Sequence, residues 1–270
     1  MCWGRHAPSA VFICLGMGEW MKNIVLIFIH VFIPTLLSQE NLEIPVSSHP
    51  DEIIYHLAYT IGYSEEHEQA RWVAYELSND EVEGTAKRRA QFRNDPEVST
   101  GSATLKDYHK SGFDRGHLAP TADMRLTEDY MSESFYMSNI SPQVPGFNRG
   151  IWKKLEIMVR KMAVQNESIY VITGPIFEAN IGKIGASRVT VPGFYYKVIL
   201  DYEEPSFKAI GFILPNKKSS KPVSFYAVTV DEVEDQTGLD FFAKLPDQIE
   251  NTIEGFADLR AWNLSPTSSK

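Results

Sequence analysis

Cysteine is nearly absent from this chain. Of 270 residues only Cys2 and Cys14 carry a thiol, and both precede Met21. A disulfide framework and a cysteine-ligated zinc are therefore excluded for everything downstream. Positive charge is also scarce: 26 Lys and Arg face 35 Asp and Glu, for a formal net charge of -9. Such a chain does not coat nucleic acid by bulk attraction, so any site for a polyanion has to be a local basic patch. No internal repeat, low-complexity tract or long linker divides residues 41–270. Nor is there an apolar run long enough to read as a spanning helix, the one candidate being short and lopsided.

That apolar run has a meaning of its own. Met21-Lys22-Asn23 is a short positive start, residues 24–37 are mostly apolar, and Ser38-Gln39 is a polar end. The pattern predicts a cleaved secretory signal within residues 1–40. Met21 is then the expected true start, and the first twenty residues are an over-extended reading frame. A retained membrane anchor or a structured amino-terminal helix is the competing reading. No cysteine ends the run to take a lipid, so the mature protein is expected to be secreted or periplasmic, without stable membrane association. Cleavage would remove Arg5 and Lys22 together with Glu19 and Glu40, leaving the net charge at -9.

Residues 41–270 are expected to form a single domain of α+β class. With 43% hydrophobic residues, 15 Phe and 12 Tyr, the chain has ample material for a core. Residues 51–61 read as a strand carrying Tyr55, Leu57 and Tyr59, and 71–77 as its antiparallel neighbour after a turn at Ser64-Glu65-Glu66. A short helix follows over 128–135 with Thr127 as its cap, and then a strand over 135–140. Leu155, Met158, Val159 and Met162 have helical spacing and predict an amphipathic helix over 151–165. Strands are expected at 168–173, 195–200, 208–216 and 224–230. The loop 217–222 should be exposed, a helix over 230–238 should stop at Gly238, and 249–262 should be mostly helical.

Candidate chemistry concentrates between Ser111 and Glu156. Asp114-Arg115-Gly116-His117 sets a fixed cation and an imidazole two positions apart, with a glycine between them that lets the backbone turn tightly. Asn148, Trp152 and Glu156 recur every four residues and would share one helix face. An amide oxygen and a carboxylate on one face can gather a hard cation such as Mg²⁺. Together these supply a base for water, a cation for developing charge and a metal for a scissile phosphate, which is what cutting a phosphodiester requires. Lys87, Arg88, Arg89 and Arg93 place four cations in seven positions just upstream. For an arbitrary protein that is a solvated surface run; ahead of the His segment it reads as a phosphate-binding patch.

These blocks, with Ser138-Asn139-Ile140-Ser141-Pro142-Gln143, Thr173-Gly174-Pro175 and Val230-Asp231-Glu232-Val233, resemble the DNA/RNA non-specific endonucleases. That group includes the secreted Serratia nuclease and mitochondrial endonuclease G. The resemblance runs from about Tyr55 to about Pro246 and implies a ββα-metal nuclease core on a central antiparallel sheet flanked by helices. Carried over, it makes His117 the general base, Asn148 the direct ligand of a single Mg²⁺ (with Mn²⁺ as a substitute), and Glu156 the carboxylate that orients water on the metal. It makes Arg115 the group that steadies phosphorane-like charge and Asn139 the residue that holds the geometry. Arg88 or Arg89 would bind phosphate, with Arg93 beside them, and Lys153 would contact substrate. The implied partners are DNA and RNA through their phosphate backbone, with a homodimer compatible with the family.

Plainer readings stand beside these. His117 could be a satisfied core histidine, Asn148 only a helix cap, and Glu156 only a surface partner of Lys153 or Arg160. Asp114 reads as structural, and Phe147 and Trp152 as core aromatics. Two other functions stay open: a catalytically inactive nuclease-like binding domain, and a phosphodiesterase for small nucleotides.

Overall fold

Alternation along the strands sets the architecture. In residues 69–78 Val73, Tyr75 and Leu77 join one hydrophobic core while Trp72 and Ala74 join another. Successive side chains of a strand point to opposite faces, so both faces of this sheet are covered. We describe residues 41–87, 90–203 and 207–264 of a computed structural model; the predicted signal segment, Arg88 and Arg89 lie outside them. The described residues form one compact unit. Among the described residues no helix is long and apolar enough to cross a membrane.

In chain order the strands are β1 (Val46–Ser47), β2 (Glu52–Tyr55), β3 (Thr60–Ser64), β4 (Gln69–Ser78), β5 (Asp114–His117), β6 (Ile140–Gln143), β7 (Ser168–Ile184), β8 (Val189–Asp201), β9 (Lys208–Pro215), β10 (Ala227–Val228) and β11 (Leu239–Asp240). The helices are α1 (Asn79–Glu83), α2 (Leu105–Tyr108), α3 (Glu128–Glu133), α4 (Lys153–Gln165), α5 (Val230–Thr237) and α6 (Asp247–Glu254). Seven strands form a central sheet in the order β10-β9-β8-β7-β4-β3-β2, every neighbouring pair antiparallel. β5 and β6 form a separate antiparallel pair, as do β1 and β11. The α+β class and the central antiparallel sheet are as expected.

Helix α4 lays Leu155, Val159 and Met162 on the sheet face that carries Val73, Tyr75, Tyr195 and Ile199. Helices α5 and α6 cover the other face, where Val230, Val233 and Ile253 meet Tyr196, Val198 and Leu200. The caps behave as their chemistry requires. Thr127 accepts from Tyr130 N ahead of α3, and Gly238 ends α5 in the left-handed conformation at φ 66°, where an L side chain is disfavoured.

Four predicted elements differ. The single strand over 51–61 is a hairpin, because His56 N donates to Tyr59 O (2.9 Å) and Leu57 N to the Glu133 carboxylate (2.7 Å), turning the chain between β2 and β3. The strand over 135–140 is a 3₁₀ turn, Met137–Asn139, leading into β6. The strand over 224–230 is a 3₁₀ turn from Val223 to Tyr226 plus the two residues of β10, with Pro222 at its start. The last helix stops at Glu254, short of residue 262. Strands β7 and β8 also run well past their predicted ends into a long hairpin arm, whose exposed residues 178–183 carry no periodic signal.

Candidate active site

The Asp-Arg-Gly-His segment is strand β5, paired in register with β6 as Asp114 with Gln143 and His117 with Ile140. Gly116 is extended here, so the expected tight turn is absent. Its glycine has another cause: an added Cβ would lie 2.2 Å from Cδ and Oε1 of the buried Gln143 side chain. Arg115 and His117, two apart, share one side of the strand. Phe92 joins them, its ring 4.6 Å from the Arg115 guanidinium carbon and 5.3 Å from the His117 ring. Phe135 meets the imidazole edge-on, also at 5.3 Å. Two aromatic walls thus fix the ring of a half-buried histidine.

Asn139 is fully buried beneath this strand. Its Oδ1 accepts from Ala119 N, and its Nδ2 donates to Ala119 O and Ser134 O, each at 2.9 Å, while its own carbonyl accepts from Leu118 N. Three of these bonds tie the two residues after His117 to the turn before β6, and the fourth ties that turn to the end of α3.

Asn148 sits in a wide π-helical turn, Phe147–Trp152, that precedes α4. The turn is broken by Gly150, at φ -108° and ψ -108°, outside the helical region. This departs from the expected regular helix, in which Asn148, Trp152 and Glu156 share a face. Instead Trp152 and Phe147 are fully buried as core, and Asn148 is half-buried at an open cavity of about 390 Å³ that Arg115, Asp114 and Phe92 also line. π turns of this kind are frequent at functional sites.

Asp114 orients this amide. Asn148 Nδ2 donates to Asp114 Oδ2 at 3.0 Å, and Arg149 grips the same carboxylate with two bonds of 2.8 and 2.6 Å. Burial alone would raise the Asp114 pKa, but hydrogen bonds from Arg149 and Asn148 outweigh it and hold the acid below its ordinary range. A carboxylate only accepts, so the amide nitrogen must face Asp114, and the Asn148 carbonyl oxygen is left as the end offered to a cation.

Glu156 lies one turn into α4, half-buried. Desolvation and then the neighbouring Asp123 push its carboxyl upward, opposed by Lys197, Arg160 and Lys153. Asp123 itself is buried and accepts from Arg160 Nη1 (2.6 Å) and Tyr75 Oη (2.8 Å). Lys197 is 0% exposed, its ammonium 5.1 Å from the centre of the Trp152 ring, and burial draws its pKa downward. The carboxylate of Glu156 thus belongs to a network of two acids and two cations enclosed between α4 and the sheet.

The structure therefore brings Arg115 and Asn148 to one cavity, with His117 against the Phe92 ring that lines it and Asn139 pinning the backbone after His117, while Glu156 lies in the network under α4. Arg93 is committed elsewhere: its guanidinium donates to Ser132 O (2.7 Å) and Ser132 Oγ (3.1 Å) and lies 4.1 Å from the Tyr136 ring centre. Among the described residues, the Lys and Arg that line the cavity are Arg115 and Lys110, the latter exposed beside His109. Sequence reasoning missed Lys110, the orienting role of Asp114 and the buried Lys197. For Lys197 a signal existed, a lone lysine inside the apolar run of β8.

Comparisons with known proteins agree with this geometry. The family model described as DNA/RNA non-specific endonuclease matches residues 38–248. Nuclease C1 of Cunninghamella echinulata var. echinulata is 38% identical over 205 residues, covering 70% of this chain and 81% of the relative. The nuclease of Serratia marcescens is 32% identical over 233 residues, covering 82% and 86%. A chain in the crystal structure of the EndoG/EndoGI complex superposes with a TM-score of 0.70 at 30% identity, covering 74% of this chain and 89% of that one. With its β5-β6 pair followed by α4, and with these matches along most of its length, the chain belongs to the DNA/RNA non-specific endonuclease family, a family of hydrolases with the ββα-metal fold.

Proposed function

We propose that this chain is a secreted endonuclease that hydrolyses the phosphodiester bonds of DNA and RNA with a divalent cation, Mg²⁺ or Mn²⁺ in its place. The observation that carries the reading is the pairing of His117 and Arg115 on one side of β5 with an Asn148 amide whose nitrogen is fixed by Asp114. The residues fit the ion: Asn148 offers a neutral oxygen at the cavity, a hard donor such a cation takes, and Glu156, one turn into α4, would orient water on it. When bound, it supplies charge neutralisation at the scissile phosphate.

The chain's own residues account for the other steps. A neutral imidazole at His117 accepts a proton from the attacking water as the new P–O bond forms and the P–O3′ bond breaks. The aromatic walls from Phe92 and Phe135 hold that ring in place. Arg115, stacked on Phe92, meets the charge that develops on the phosphoryl oxygens. Asn139 keeps the backbone after His117 in register with β6. These groups address phosphate and read no base edge, so little sequence preference is expected.

The test is plasmid nicking by the purified mature protein, with Mg²⁺ and then with chelator, beside His117→Ala. Cleavage should need the cation and fall by about 10²- to 10⁴-fold in the variant, with DNA binding kept. Equal cutting by the variant would remove His117 as the base. Binding without any cutting by the wild type would identify a silent nuclease-like domain. Faster hydrolysis of a small diester than of plasmid would identify a nucleotide phosphodiesterase.

A further inference from the structure

On the sheet face opposite α4, α5 and α6 bring acids together, and neither helix carries a Lys or Arg. We propose that Asp231, Glu234 and Glu254 form a second cation site, with Ca²⁺ as its ligand, that fastens α6 to α5. Asp231 and Glu234 are three residues apart on α5 and so share a face, and Glu254 is the last residue of α6. Each contributes one carboxylate oxygen, and these oxygens lie within 4.8 Å of one another. Two oxygens bound to one Ca²⁺ at roughly 2.4 Å each can be at most about 4.8 Å apart, so the spacing suits a shared ion.

An acidic cluster alone would prove little, since exposed acids often gather without a ligand. Here Glu254 is only 5% exposed, and its Oε1 is buried with no hydrogen-bond partner. The charged groups that act most on it are Glu234, Glu250, Asp231 and Asp240, every one of them acidic. It also stands at the carboxyl end of α6, where the helix dipole disfavours an anion. A buried carboxylate so placed must be matched by a cation or a proton. Glu234 is held for the purpose, one of its oxygens accepting from Phe241 N at 2.7 Å.

The chemistry favours Ca²⁺ over Mg²⁺. Three carboxylates from two separate helices suit an ion that tolerates irregular geometry and six to eight oxygens, the balance coming from water, whereas Mg²⁺ demands a near-ideal octahedron. Without the cation, burial and the neighbouring acids push Glu254 up to about 9 and Glu234 up to about 7, so protons take its place and compete with it. The site is structural and independent of the nuclease reading.

The experiment is thermal unfolding of the full chain at neutral pH, first in chelator and then against CaCl₂, for the wild type, Glu254→Gln and Asn148→Ala. Ca²⁺ at a hundredfold excess over Kd should raise the Tm of the wild type and of Asn148→Ala by about 5–10 °C. Glu254→Gln should lose that shift, and in chelator it should melt no lower than the wild type because the amide matches the neutral, protonated carboxyl it replaces. If Glu254→Gln does not fold, Asp231→Asn replaces it with the same expectation. A wild-type Tm that ignores Ca²⁺, a full shift kept by the substituted cluster, or a shift lost in Asn148→Ala would each overturn the proposal.

Discussion

Replacing Asp114 by Asn exchanges one oxygen for nitrogen and leaves the side-chain shape almost unchanged. In the native chain the carboxylate faces Asn148 Nδ2 at 3.0 Å, which fixes which end of that amide looks outward. An amide at position 114 can present either end, so Asn148 can turn its nitrogen toward the cavity, and nitrogen of an amide does not ligate a hard cation. One of the two bonds to Arg149 is lost as well, since an amide keeps only one acceptor oxygen, but Arg149 is exposed and that pair contributes little. A hydrogen bond to a charged group contributes about 1.5–3 kcal/mol. As an orientation preference this is roughly a 10- to 150-fold bias, at 1.4 kcal/mol per decade. Loss of a partner that orients a metal ligand costs about 10- to 100-fold in metal affinity or activity, the same range. The assay is nicking rate against Mg²⁺ concentration: Asp114→Asn should need about 10- to 100-fold more Mg²⁺ for half-maximal rate, with a Tm close to wild type. A half-saturating Mg²⁺ equal to that of the wild type would refute the argument that Asp114 orients Asn148.

Other outcomes follow from the same geometry. Gly116→Ala drives a Cβ into the buried Gln143 side chain, an overpacking that should cost about 1–3 kcal/mol; an unchanged melting temperature would show that Gln143 yields freely. Stability in chelator should fall as pH rises from about 4.5 to about 9, because the native state holds a proton on Glu254 that the unfolded chain has released. Glu254→Gln should flatten that slope, as read by Tm against pH. Cleavage should weaken as salt is raised from low to physiological levels, since phosphate contacts carry the binding; a salt-independent rate would count against a phosphate-reading site.

Much of the fold could be read before any coordinates. The apolar spacing of Leu155, Val159 and Met162 located α4, Thr127 marked the start of α3, and Gly238 the end of α5. What escaped had local signals that pointed elsewhere. Leu57 and Tyr59 continue an alternating pattern, and the turn between β2 and β3 depends on Glu133, far along the chain. The four-residue rhythm of Asn148, Trp152 and Glu156 suits a regular helix, yet Gly150 permits the wide π turn that separates buried Trp152 from half-buried Asn148. Asp114 reads as structural until Asn148, 34 residues away, is seen on its carboxylate. Arg93 belongs to a conspicuous basic run, but Ser132 and Tyr136 take its guanidinium, a contact no local pattern announces.

The two-sided sheet also bears on how an acidic protein approaches a polyanion. Helices α5 and α6, with Asp231, Glu232, Glu234, Asp235, Asp247, Glu250 and Glu254 and without a single Lys or Arg, cover one side of the sheet, whereas the cavity is lined by Lys110, Arg115 and His109. The α5–α6 surface is thus of one sign throughout. A strand of nucleic acid is repelled there, so encounters with that side are brief and those at the cavity are favoured by comparison. Moving lysines onto α5 and α6, with net charge unchanged, would weaken that discrimination.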